Sequence, residues 1–144
     1  GTQSIFYTRS DVLFVSIHGD PQTEYPFYLG HTDETGQGEG VGFNLNLPLP
    51  AGASVEDWFL ALEQALARMG SYAPDALVVS LGLDTFAGDP ISKFALQSDD
   101  FSRLGQRLAK TNLSTVFVFE GGYACEQLAS NTVNVLEGFE SMPS

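Results

Sequence analysis

Three short runs along the chain are apolar and rich in β-forming residues: "DVLFVSIH", "ALVVSLGL" and "STVFVFE". Each is bounded by Asp, Gly or Pro, and each predicts a buried strand. Ahead of the second, "SVEDWFLALEQALARMGSY" repeats apolar residues at helical spacing (Trp58, Leu62, Ala65, Leu66, Met69), with Ser54 placed to cap the first turn. "SDDFSRLGQRLAK" predicts a second helix, with Ser98 as N-cap, acids in its first turn and Lys110 in its last. A third helix is expected from about Cys125 to Phe139. "GFNLNLPLP" reads as a short extended segment before the first helix.

Strands that are apolar on both faces and alternate with helices predict an α/β fold: a three-layer parallel sheet with helices on both faces. The run from "ALVVSL" through the second helix to "TVFVFE" is then a right-handed βαβ unit. The polar, glycine-rich stretch from Gly19 to Gly42 is longer than an ordinary connection and reads as a functional surface loop.

In an open α/β sheet, ligands gather outside the carboxyl ends of the strands. His18 ends the first strand in "SIH", Asp84 lies just past the second in "SLGLD", and Tyr123 just past the third in "FEGGY". Parallel strands would raise an imidazole, a carboxylate and a phenol from one edge. Each residue also has a purely structural reading: Asp84 as the cap of a turn before "GDP", Tyr123 as a packing residue at a helix start, His18 as a satisfied structural histidine. The coincidence of the strand ends is what favours a shared site.

Composition narrows the partners. The 144 residues have the size and apolar content of one domain, 1–144, and no apolar run approaches a bilayer-crossing length. Six Lys plus Arg against a net charge of −12 work against a phosphate-binding face, so nucleic acid is not an expected partner and cationic small molecules are not repelled. The lone Cys125 reads as a small buried hydrophobe, and a single cysteine suits a reducing, cytoplasmic compartment.

Taken together, "SIHGDPQTEYPFYLGHTDETGQGEGVGFNLNLPLP", "PDALVVSLGLDTFAGDPISKFALQSDDF" and "VFVFEGGY" resemble the C-terminal half of the histone deacetylase and acetylpolyamine amidohydrolase family of zinc hydrolases. The resemblance runs over nearly the whole chain, and "EGGY" with "GLDTFAGDP" leans toward the bacterial acetylpolyamine amidohydrolase branch.

The resemblance implies a role for each matching residue. Asp84 would be one of three protein ligands to a catalytic zinc, and Tyr123, protonated, would donate to the carbonyl oxygen that becomes negative during hydrolysis. Tyr25 would form an aromatic wall of the acyl tunnel, with Gly121 and Gly122 letting the tyrosine loop reach over the metal. Ser16 and Ile17 match a stretch that contributes to a monovalent cation site, potassium in type, largely through main-chain oxygens. Glu120 stands where some relatives have glycine, and its role stays open. The implied substrate is a small acetylated amine of acetylpolyamine or acetyl-lysine type.

One departure decides what the isolated chain is expected to do. The family's other zinc ligands form an Asp-x-His motif and its acid/base pair is His-His; the sequence contains neither. It therefore reads as a deacetylase fragment that is inactive alone, and truncation is expected to expose apolar surface through which copies self-associate. The alternative is a non-catalytic α/β module that acts by binding or assembly.

Overall fold

The structure is a computed structural model that describes residues 1–141, the side chain of Cys125 excepted. Its elements are α1 (Thr2–Phe6), β1 (Phe14–Gly19), β2 (Asn44–Leu49), α2 (Val55–Tyr72), β3 (Ala76–Leu81), α3 (Ser98–Ala109), β4 (Ser114–Phe119) and α4 (Cys125–Glu140). They fall into two compact units, Gly1–Tyr72 and Ala73–Ser144.

In the first unit β1 runs parallel to β2, with Phe14 opposite Asn44 and Gly19 opposite Leu49. The segment "GFNLNLPLP" is thus a full strand and the neighbour of β1. Asn44 and Asn46 are buried on one face of β2, where their amide nitrogens reach the Gln3 side chain and the loop carbonyls of Glu34 and His31. Those partners replace the water lost by the amide nitrogens, whereas the side-chain oxygens of both asparagines are buried without a hydrogen-bond partner among the described residues. Ser54 caps α2 as expected: its hydroxyl accepts the Asp57 N–H at 3.1 Å, and the Asp57 carboxylate accepts the Ser54 N–H at 3.0 Å. The helix buries Trp58, Phe59, Ala61, Leu62 and Ala65.

In the second unit β3 and β4 are parallel in the register Ala76↔Ser114 to Leu81↔Phe119, with α3 between them in sequence. Both strands are half-covered rather than buried throughout. The inner row packs toward the helices, with Phe117 edge-on to Phe139 of α4 at 5.3 Å between centroids, whereas Val78 on the outer row is 67% exposed and Val116 and Val118 are exposed beside it. Side chains of a strand alternate between faces, so one face lies against helices and the other stands open.

The cap of α3 differs from the sequence reading. Ser98 is the first helical residue and Gln97 the N-cap, because the Asp100 carboxylate accepts the Gln97 N–H at 2.9 Å. Asp100 also holds Arg103 through a contact of 2.6 Å. The helix lies along α4 at backbone distance: a Cβ on Gly105 would stand 2.1 Å from the Val135 carbonyl oxygen. Phe101, Leu104, Leu108 and Val135 form the buried centre of this unit.

Candidate active site

Residues that follow β3 and β4 meet because parallel neighbours release their chains at the same end. β3 closes into a single helical turn, Leu83–Thr85, that carries Asp84. The Leu83 N–H donates to the Gly121 carbonyl at 2.8 Å, extending the strand pairing into both loops. Asp84 then sits directly over glycine backbone. A Cβ on Gly121 would lie 2.2 Å from Asp84 Oδ2, and one on Gly82 would lie 2.8 Å from Oδ1. Gly122 is held at φ +141°, a conformation that side chains disfavour, and a Cβ there would strike Leu128 and Leu83. Gly121 and Gly122 thus make room for Asp84 and for the core beneath the loop.

Asp84 is half-buried. Burial pushes its carboxyl above the ordinary carboxylate range; its own backbone N–H opposes this, and the like charges of Asp89 and Glu120 reinforce it. A carboxylate in that state gains from a bound cation.

Asp89, five residues on, has the opposite setting. It is 6% exposed, and burial alone would raise its pKa. Backbone N–H donors from Ile91, Tyr123, Ser92 and Ala124 outweigh that and hold the carboxyl below its usual value. The contact to the Tyr123 N–H is 2.7 Å. Tyr123 itself is 50% exposed at this end of the sheet. In the sequence alone, the "GDP" context of Asp89 signals only a turn.

The remaining predicted residues lie in the first unit. The Ser16 hydroxyl is 2.8 Å from His18 Nδ1, and His18 Nε2 is 2.9 Å from the Gly30 carbonyl. A carbonyl only accepts, so in the neutral ring Nε2 carries the hydrogen and Nδ1 accepts from Ser16. The serine oxygen keeps its lone pairs free of that bond. Ile17 pairs with Leu47 in the middle of the sheet. Gly30 is buried at φ +101°, and a Cβ there would lie 2.4 Å from His18 Nε2.

Tyr25 is 84% exposed on the loop after β1 and meets Phe27 edge to face at 6.4 Å; Phe27 and Tyr28 are exposed with it. Phe27 and Tyr28 thus join Tyr25, the aromatic expected from the sequence, on one exposed loop. The loop is tied down by Glu34, whose carboxylate accepts from Gly30 N–H at 2.7 Å, His31 N–H at 3.1 Å and Gln3 Nε2 at 2.8 Å. Burial would raise the Glu34 pKa, and these three donors lower it below the ordinary value.

Among the described residues no three His, Cys, Asp or Glu side chains gather closely enough to hold a metal ion. What the chain offers a metal is one carboxylate, Asp84, set in a glycine cradle. It fits as a member of a ligand set and does not make one.

The histone deacetylase domain family matches residues 1–139. The chain is 56% identical over 140 residues to acetylpolyamine amidohydrolase 1 of Pseudomonas aeruginosa, covering 97% of this chain and 40% of that protein. It is 44% identical to the acetylpolyamine amidohydrolase of Mycoplana ramosa, again across 40% of its length. Among solved structures, the acetylpolyamine aminohydrolase of Burkholderia pseudomallei superposes with a TM-score of 0.96 at 48% identity, over 98% of this chain and 41% of that one. A histone deacetylase homologue from Aquifex aeolicus gives 0.91 at 30% identity, over 99% and 39%. The chain thus spans about two fifths of the length of these relatives.

Proposed function

The chain belongs to the histone deacetylase domain family, a group of hydrolases, and from that premise we propose that it carries one side of a zinc-dependent amidohydrolase site for a small acetylated amine. The observation that carries this reading is the joining of two strand-end loops: Asp84 rests on Gly121, and Tyr123 is fixed two residues further along the same loop.

Asp84 is the metal ligand and Tyr123 the catalytic residue. Zinc, when bound, lowers the pKa of a water molecule and polarises the acetyl carbonyl. The Tyr123 hydroxyl donates to the carbonyl oxygen as water adds to the acetyl carbon, and it releases that oxygen when the carbon–nitrogen bond breaks to give acetate and the free amine. Gly121 keeps the loop close to the Asp84 carboxylate. Tyr25, with Phe27 and Tyr28, lines the path of the acyl chain, a role that their exposure on one loop supports. Ser16 and Ile17 serve a potassium site, largely through their main-chain oxygens; the support is the match of this stretch to the family. The domain is the C-terminal part of a deacetylase domain, and its compartment is the cytoplasm. The net charge of −12 suits an amine substrate that carries further positive charge, an acetylated polyamine above all.

With no Asp-x-His and no His-His in the sequence, the chain alone has neither a full ligand set nor a base for the water, and it does not turn over. The test is a chimera in which the chain replaces the matching segment of the Pseudomonas aeruginosa relative. We expect acetate release from an acetylated polyamine by the chimera and none by the chain alone. Tyr123→Phe should lower kcat by roughly 10²- to 10³-fold, and Asp84→Ala should abolish both zinc retention and turnover. A folded chimera indifferent to both substitutions would remove the proposal.

A further inference from the structure

We infer that Asp89 is the positioning residue for Tyr123: it fixes the backbone from which the phenol projects, and it does so from the loop of the neighbouring strand. The inference rests on the role proposed above for Tyr123.

The "EGGY" segment cannot hold a side chain in place by itself. Two consecutive glycines precede the tyrosine, and glycine restricts the backbone least of all residues. The pairing of β3 with β4 continues past the strands through Glu120 N–H to the Leu81 carbonyl at 3.1 Å and Leu83 N–H to the Gly121 carbonyl at 2.8 Å. The Tyr123 N–H, two residues past Gly121, donates instead to a side chain, Asp89 Oδ2, at 2.7 Å.

Asp89 is itself immobilised. Its Oδ1 accepts the Ile91 N–H at 2.9 Å and the Ser92 N–H at 3.3 Å, so one oxygen is bound to its own turn while the other reaches across 34 residues of sequence. The Ala124 N–H also bonds the carboxylate. Donors thus converge on both oxygens from two loops, and the group is almost wholly buried. Burying a charge is costly unless hydrogen bonds replace its water, and N–H donors to a carboxylate make short, strong bonds.

Only a carboxylate meets this demand. An asparagine of the same size has one oxygen and one NH₂, and the NH₂ would face backbone N–H groups on whichever side it lay. One of the two loops must then be released. Because the turn at Ile91 and Ser92 adjoins residue 89 in sequence, the released side is the distant one, at Tyr123.

The test uses the chain itself, labelled with ¹⁵N and ¹³C. In the unaltered chain a scalar coupling across the hydrogen bond should connect the Tyr123 amide nitrogen to the Asp89 side-chain carboxyl carbon; its absence overturns the inference without any substitution. In Asp89→Asn the Tyr123 and Ala124 amides should exchange with solvent at least about tenfold faster, and the Tyr123 order parameter should fall from the rigid range near 0.85 to below about 0.6. Phe101 and Val135 in the helix core should lose no more protection than the change in global stability accounts for. Unchanged exchange at Tyr123, with altered signals only at Ile91 and Ser92, would show that Asp89 organises its own turn and nothing more. None of these readouts involves turnover. A chimera indifferent to Tyr123→Phe would overturn the role of the phenol and leave the Asp89 coupling visible.

Discussion

The carboxylate of Asp84 occupies the space that a side chain on Gly121 would fill, with 2.2 Å between Oδ2 and the position of the missing Cβ. Gly121 lies outside the left-handed region, so its backbone suits any residue and the demand for glycine there is purely steric. Gly121→Ala should destabilise the chain by about 1–3 kcal/mol, the usual range for overpacking. In an Asp84→Ala background the same change should cost much less, giving a coupling of at least about 1 kcal/mol in urea denaturation. Additive effects would mean that the two residues do not compete for space.

The charge on Asp84 makes a separate prediction. Burial, with Asp89 and Glu120 adding to it, puts the folded pKa above the ordinary 3.8. The folded chain therefore keeps this proton to higher pH than the unfolded chain does, and the contribution is present below pH 3.8 and lost as pH rises through the folded pKa. Asp84→Asn, which cannot ionise, should melt roughly 2 °C higher than the parent at pH 7 without metal. The gap should narrow as pH falls toward 4. Asp89 has the reverse sign: its lowered pKa stabilises above the unfolded value, so Asp89→Asn should cost stability at pH 7 and less on acidification. Thermal melts of the three proteins across that range separate the two signs.

Glycines in two helices should respond oppositely to the same substitution. Gly105 in α3 faces the backbone of α4, with a Cβ 2.1 Å from the Val135 carbonyl oxygen and 2.7 Å from the Phe139 nitrogen. Gly70 in α2 has nothing within 4 Å. Alanine in place of glycine gains up to about 1 kcal/mol of helix propensity at an open site, so Gly70→Ala should stabilise. At Gly105 the helices must separate, and a net loss of about 1–3 kcal/mol is expected. Equal effects at both sites would show that the α3–α4 approach is not backbone-limited.

Local signals account for what the sequence made legible. Apolar runs marked β1, β3 and β4, Ser54 marked the start of α2, and parallel strands brought the Asp84 and Gly121–Tyr123 loops to one end. Features that depend on distant partners were not legible. β2 was legible only as a short extended segment: Asn44, Asn46 and Pro48 break its apolar pattern, and it becomes a full strand because β1 pairs with it and Gln3 and the loop carbonyls take up the asparagine amide nitrogens. The five residues of α1 bury no side chain and so leave no periodicity to read. Asp89 looks like any turn aspartate until the Tyr123 amide, 34 residues away, is placed beside it.

The open face of the β3–β4 pair predicts how the chain behaves in solution. Val78 lies opposite Val116 in the register, and Val118 continues the same row; all three are exposed. A contiguous apolar row on a sheet face is a surface for association, and a second copy of the chain presents the same row. The net charge of −12 opposes that contact, with a range of about 10 Å at 0.1 M salt. Association should therefore strengthen as salt is added, the reverse of a contact held by ion pairs. Val116→Glu places a charge in the row and should shift the chain toward monomer, whereas Leu60→Glu, equally exposed but on α2, should have little effect. Light scattering at micromolar concentration measures all three proteins: a parent chain that is monodisperse and monomeric at every salt concentration, or two substitutions with the same effect, would show that the valine row is not the contact.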